Sequence, residues 1–209
     1  MQFFDFHTHN STSDKEYSIL DNGARYIADR TISVGIHPWH ITGNWKEDFA
    51  RITELASKDN IAAIGECGID KLRSTASIEL QIEIFRAHAM LAEKAKKPLI
   101  IHCVKSVDEV ISLKKEIFPT QAWIIHGFRG NSTQATQLTN AGFYISFGEK
   151  FNRESIITIP CERLLIESDE SPKNIIEIYR SIADARECPI DELQATVTRN
   201  IKNCGIEIL

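Results

Sequence analysis

Eight short, mainly apolar runs recur along the chain, at residues 3–6, 17–20, 32–36, 61–64, 98–101, 122–125, 143–147 and 164–166. Several are unbroken Ile, Leu and Val blocks that lack the apolar/polar alternation of a half-exposed strand, so they read as strands buried on both faces, as in parallel sheets. Helical patterns fill most of the gaps. Residues 47–58 put Phe49, Ile52, Leu55 and Ala56 on one face. Residues 75–97 alternate at first like a strand, but Ile78, Ile82, Phe85, Ala89 and Ala92 also form a helical stripe, and the length favours helix. Residues 106–117, 131–141, 172–187 and 189–203 complete the set, with Pro172 and Pro189 in the first turns of the last two. Strand–helix alternation of this kind predicts an α/β fold, a TIM-like (β/α)8 barrel forming one domain over residues 1–209. Such barrels typically need about 250 residues. The deficit lies between the first run and Ile32, where a strand fits but two crossover helices do not, so the barrel is expected to be reduced in its first βα units. A doubly wound open sheet is the structural alternative.

Composition narrows the function classes. Asp plus Glu (29) exceed Lys plus Arg (24) and the net charge is −5; any nucleic acid would therefore be handled at a local site and not across a broad basic face. No apolar run approaches the roughly 20 residues of a membrane helix. The opening residues Met1-Gln2-Phe3-Phe4-Asp5 lack a basic segment followed by a long apolar stretch, so no secretory signal is expected. Five scattered cysteines without a CxxC pair are expected as free thiols in the reducing cytoplasm.

Chemistry collects where the runs end. His7 and His9 follow the first, Glu66 the fourth, His102 the fifth, His126 the sixth, and Glu167 and Asp169 the last. The C-terminal ends of parallel barrel strands open on one face, so His7, His9, Glu66, His102, His126 and Asp169 should converge in one bowl. His7 and His9, two apart, face the same side of a strand. Four imidazoles and two carboxylates suffice for two divalent cations, and Zn, Mn, Mg, Ni and Co are not distinguished by them. His37 also ends a run and His40 stands in the loop after it; ligand and packing roles stay open for both. His88, inside a helix, reads as structural. Cys67 and Cys103 each follow a proposed ligand, so they should face away from the bowl.

Seven segments, in order, resemble one family. FDFHTH, VGIHPWH, IGECGIDKLR, PLIIHC, IIHGFRG, LLIESDESP and TRNIKNCGI, with the Gln81 to Phe85 stretch, are similar to the TatD-type metal-dependent hydrolases of the amidohydrolase-like superfamily. That resemblance implies a (β/α)8-type barrel and divalent-metal-dependent hydrolysis of phosphodiesters at nucleic-acid ends through two metal ions. It implies one metal on His7, His9 and Asp169, another on His102 and His126, Glu66 bridging them, and Asp169 accepting a proton from the attacking water. Arg73 matches the arginine of the family's GLDxxR segment, and its planar fork suits a phosphate. Lys105 stands one residue beyond the usual cation, and Arg129 replaces a small residue; both are candidate substrate contacts. Glu167 and Asp70 are expected to support the ligands from behind. The shortened stretch between His9 and Ile32 departs from the family and would lower one side of the bowl. Partners are then a DNA end, a short single strand or a small phosphoester. A metal-dependent phosphatase, an amide or ester hydrolase on a small molecule, and a non-catalytic metal-binding protein are the alternatives. DFHTHN also resembles the opening of the PHP phosphoesterases, but IGECGID and HGFRG fit that family poorly.

Overall fold

The computed structural model describes residues 2–206, so the expected 1–209 domain extends outside the described residues at Met1 and 207–209. Eight strands lie parallel and in chain order: β1 (Asp5–Thr8), β2 (Ser18–Asp21), β3 (Ile32–Val34), β4 (Ile61–Asp70), β5 (Leu99–Val104), β6 (Trp123–Ile125), β7 (Tyr144–Phe147) and β8 (Leu164–Ile166). The barrel closes where Thr8 bridges Asp169. There the Asp169 amide donates to the His7 carbonyl at 2.9 Å, and the His9 amide donates to the Asp169 carbonyl at 3.1 Å. This is the TIM-like barrel and not the doubly wound sheet. The continuous apolar runs are buried on both faces, with Phe6, Ile64, Ile100, Ile124, Ile145 and Leu165 fully enclosed.

Among the described residues seven α-helices surround it: α1 (Trp45–Leu55), α2 (Ile78–Ala95), α3 (Val107–Ile117), α4 (Ser132–Asn140), α5 (Arg153–Thr158), α6 (Ile175–Arg186) and α7 (Ile190–Asn203). The strand-like alternation at the start of α2 yields to its helical stripe; Ser77 caps the first turn, and Lys96, in the left-handed region, ends the helix just before Pro98. α5 was not expected, since six residues are too few to show a period. Pro172 does not sit in a first turn: Asn174 caps α6 and forms a capping box with Glu177. Pro189 is the cap residue of α7 rather than its first helical residue.

The first third is built differently. Among the described residues no helix connects β1 to β2 or β2 to β3. Polar bonds brace the connections instead. Arg30 is 7 % exposed; its guanidinium donates to the Ser11 carbonyl at 2.8 Å and to the Ser13 and Ser18 hydroxyls at 3.1 Å each. Asn60 donates its amide to the carbonyls of Ile27 and Arg30. His88, buried in α2, accepts the Ile36 amide at 3.0 Å through Nε2 and pairs its Nδ1 with the Ile84 carbonyl at 2.8 Å, which ties α2 to the stretch after β3. It is structural, as expected.

Candidate metal centre

β4 runs on to Asp70, so Glu66 lies within the strand and not after it. Two glycines make this possible. Gly65 and Gly68 have φ of +134° and +148°, and a Cβ on them would stand 2.5 Å from the Ile100 carbonyl oxygen and 2.0 Å from that of His102. Only glycine lets β4 press this closely against β5. The result is Glu66 at the centre of the bowl, 2 % exposed.

Glu66 divides the histidines between its two oxygens. Oε2 faces His7 Nε2 at 3.4 Å and His9 Nε2 at 3.6 Å. Oε1 faces His102 Nδ1 and His126 Nε2, each at 2.6 Å, and His37 Nε2 at 3.0 Å. Asp169 Oδ1 lies 3.6 Å from His9 Nε2, and Asp169 also groups with His7 and His126 within reach of a single cation. All six expected ligands therefore converge. Asp169 holds a left-handed backbone, φ +54°, at the closing seam, which fixes it against β1.

The outer sides of these residues are carboxylate-rich. Asp70, fully buried, accepts His102 Nε2 at 3.1 Å and the Trp39 indole N–H at 2.6 Å, and its other oxygen accepts the amides of Leu72 and Arg73. Glu167 accepts the Gly127 amide at 2.6 Å and lies 3.4 Å from His126 Nδ1. Asp70 thus lies on the outer side of His102 and Glu167 on the outer side of His126. Asp21 was not among the expected residues: it ends β2, accepts the Glu66 amide at 3.0 Å and lies 3.6 Å from His9 Nδ1. The rule that found the others, a carboxylate or imidazole ending an apolar run, would have found it too.

The electrostatics are those of a cation site. Burial works against the Glu66 charge, but His126 and the bonds from His102, His126 and His37 hold its carboxyl well below the usual range. Burial likewise opposes a charge on His126, yet Glu66 and Glu167 raise it well above an ordinary imidazole. Burial and then the Glu167 charge raise Asp169. Burial works against the Asp70 charge too, but the Trp39 bond and the turn amides hold its carboxyl below its usual range. Without a cation, His7 Nε2 and Glu66 Oε2, which face each other at the centre, are buried with no hydrogen-bond partner. Buried polar atoms are rarely left so, and a divalent cation in each half of the cluster matches the donor set of imidazole and carboxylate.

The bowl opens into a cleft of about 470 Å³ whose walls include Trp39, Arg73, Lys105, Phe128 and Arg129. The Arg73 guanidinium lies 4.1 Å over the Trp39 ring. Arg129 is 3.8 Å from Asp169 Oδ2. All three expected substrate cations thus reach the rim. Cys67 packs into the core as expected, whereas Cys103 borders the cleft wall, because β5 continues to Val104 and turns there. His40 lies beside His37 with ring centroids 5.4 Å apart, outside the cluster.

The comparisons concern the family and the fold. The profile of the TatD-related DNase family matches residues 6–204. The chain is 30 % identical over 191 residues to the uncharacterized metal-dependent hydrolase YabD of Bacillus subtilis, spanning 81 % of this chain and 75 % of that protein. It is 27 % identical over 197 residues to the 3'-5' ssDNA/RNA exonuclease TatD of Erwinia amylovora, covering 81 % and 76 % of the two chains. In structure it superposes on YJJV, a TatD homologue from Escherichia coli K12, with a TM-score of 0.84 over 97 % of both chains at 18 % identity. No helix among the described residues is long and apolar enough to cross a membrane. The match over almost the whole chain, joined to the kinship with the Bacillus protein, makes this chain a member of the TatD-related DNase family and a metal-dependent hydrolase.

Proposed function

We propose that residues 1–209 act as a single cytoplasmic phosphodiesterase domain that trims nucleic-acid ends or short single strands with two divalent cations. The observation that carries this reading is the division at Glu66, whose two oxygens face separate groups of imidazoles. His7, His9 and Asp169 would hold one cation, His102 and His126 the other, and Glu66 would be shared. Bound there, the cations would lower the pKa of a water toward neutrality and offset charge on the phosphoryl group. The protein's own groups supply the rest. Asp169, whose carboxyl is raised by burial, takes the proton of the attacking water at Oδ2, the oxygen turned from His9. Arg73 holds a phosphate oxygen with its planar fork, and Lys105 and Arg129 offset charge at the rim. These local cations answer the net charge of −5, because they place positive charge only where a phosphate binds. The nucleic-acid substrate is supported by the name of the Erwinia relative.

The test is metal counting joined to turnover. Chelator-stripped protein reloaded with Zn or Mn should bind two equivalents and cleave bis-p-nitrophenyl phosphate faster than p-nitrophenyl phosphate. A plateau at zero equivalents overturns the metal centre. Preference for the monoester overturns the diester reading in favour of a phosphatase.

A further inference from the structure

In three of the imidazoles around Glu66, the nitrogen turned away from the centre meets a carboxylate. His9 Nδ1 is 3.6 Å from Asp21 Oδ2, His102 Nε2 is 3.1 Å from Asp70 Oδ2, and His126 Nδ1 is 3.4 Å from Glu167 Oε1. An ionised carboxylate only accepts; Glu66 faces the inner nitrogens of these rings and these three acids face the outer ones, so a cation on the inner side would leave each ring proton on the outer nitrogen. That is the wiring of a ligating histidine.

His37 is wired the other way. Its outer nitrogen, Nδ1, accepts the backbone N–H of Trp39 at 3.0 Å and so caps the 3-10 turn Pro38–His40. A nitrogen that accepts an N–H carries no proton itself, so the single proton of the neutral ring is on Nε2. Nε2 points inward, 3.0 Å from the acceptor Glu66 Oε1 and 3.2 Å from His102 Nδ1. The ring offers the centre a donor where its neighbours offer lone pairs. The turn makes this permanent: Pro38 sits at its first position, and the Trp39 amide has the ring of His37 as its cap.

We infer that His37, although its Nε2 lies among the ligating atoms, holds no cation and instead donates Nε2–H to an oxygen of the phosphoester. The inference rests on the phosphoesterase reading above. The cleft supports it, because His37 and Arg73 share one wall: the His37 ring centroid is 4.6 Å from that of Trp39, and the Arg73 guanidinium stacks on the same indole. A fixed donor and a planar cation mounted on one rigid side chain form a phosphate-oxygen clamp that needs no reorganisation as charge develops.

Two measurements decide it. In 15N-labelled protein, long-range 1H–15N spectra report which nitrogen of each ring is protonated, and Zn titration reports which becomes metallated. His7, His9, His102 and His126 should each metallate, while His37 keeps a bare Nδ1 and a protonated Nε2. In the second measurement, His37→Phe should keep both metal equivalents but lower kcat for bis-p-nitrophenyl phosphate by about 100-fold. His37→Gln, whose amide donates, should recover most of that loss. Metallation of His37 Nε2, a lost metal equivalent in His37→Phe, or unchanged turnover overturns the inference and leaves the metal centre standing. If none of the five rings takes Zn, the phosphoesterase reading itself falls.

Discussion

The stretch from β1 to β3 and the stretch from β4 to β8 serve one centre by different means. The later strands are joined through helices whose apolar faces cover the sheet. The earlier ones are joined by loops braced on a buried arginine and on Asn60. Yet each stretch delivers functional groups to Glu66: His7, His9, Asp21 and His37 from the first, and His102, His126 and Asp169 from the second. A barrel site depends on where its strands end, and the connecting helices can be replaced if something else covers the strands. The replacement changes the currency of stability from apolar burial to polar bonds.

The most drastic way to test this is to remove the residue both stretches share. Glu66→Ala should lose both metal equivalents and nearly all activity while retaining the fold, because the apolar core lies elsewhere. Metal counting and circular dichroism check it; two retained equivalents would mean the two stretches meet without Glu66.

The difference in bracing should show in stability. Phe85→Ala, in the fully enclosed face of α2, should cost about 3–5 kcal/mol and unfold the barrel as a unit. Arg30→Ala should cost about 2 kcal/mol, since it removes three hydrogen bonds, one of them to the buried Ser18 hydroxyl. It should also raise hydrogen exchange and proteolysis within residues 9–31 before the rest. Denaturant melts and exchange mapping compare the two. Equal protection loss across the chain in Arg30→Ala would show that the helix-free stretch is not separately braced.

His88 joins the two stretches, and pH reads that joint. Burial lowers its pKa from 6.5 to about 4. The unfolded chain therefore takes up a proton in that window and the folded chain does not. Its contribution is complete above pH 6.5 and falls as pH drops toward 4, by about 3 kcal/mol in all. Denaturation as a function of pH should show this slope in the native protein and a flatter one in His88→Gln.

The smallest effect expected is the sharpest comparison. Asp21→Asn and Asp70→Asn each remove a carboxylate behind a histidine, one in each stretch. Each should weaken metal affinity by about 10–100-fold, measured by chelator competition. A loss only in Asp70→Asn would mean that the helix-free stretch holds its histidine by backbone alone.

Much of this was legible before the fold was known. The buried runs gave the parallel barrel, the gap before Ile32 gave the missing helices, and the residues ending the runs gave all six members of the cluster. What was not legible depends on direction rather than position. Glu66 sits inside β4 because Gly65 and Gly68 bring that strand against β5, and no apolar pattern reports so close an approach. α5 is too short for periodicity to register. Asp21 is the exception: it ends β2, so the rule that found the other acids reaches it too. The two faces of His37 are set by one backbone N–H two residues on, and a one-dimensional spacing cannot say which nitrogen that N–H meets.

The seam that closes the barrel also sets a timetable. His7 and His9 leave the ribosome first, yet their backbone partner Asp169 follows only after most of the chain. At the usual 5–20 residues per second, that is a delay of about ten to thirty seconds. During it the first two histidines lack Glu66, Asp169 and the strand that registers them, so no complete cation site exists on the nascent chain. Metal acquisition is thereby placed at the end of synthesis, when the last strand docks. A chain interrupted before β8 would carry five of the six cluster residues and still have nowhere to set them.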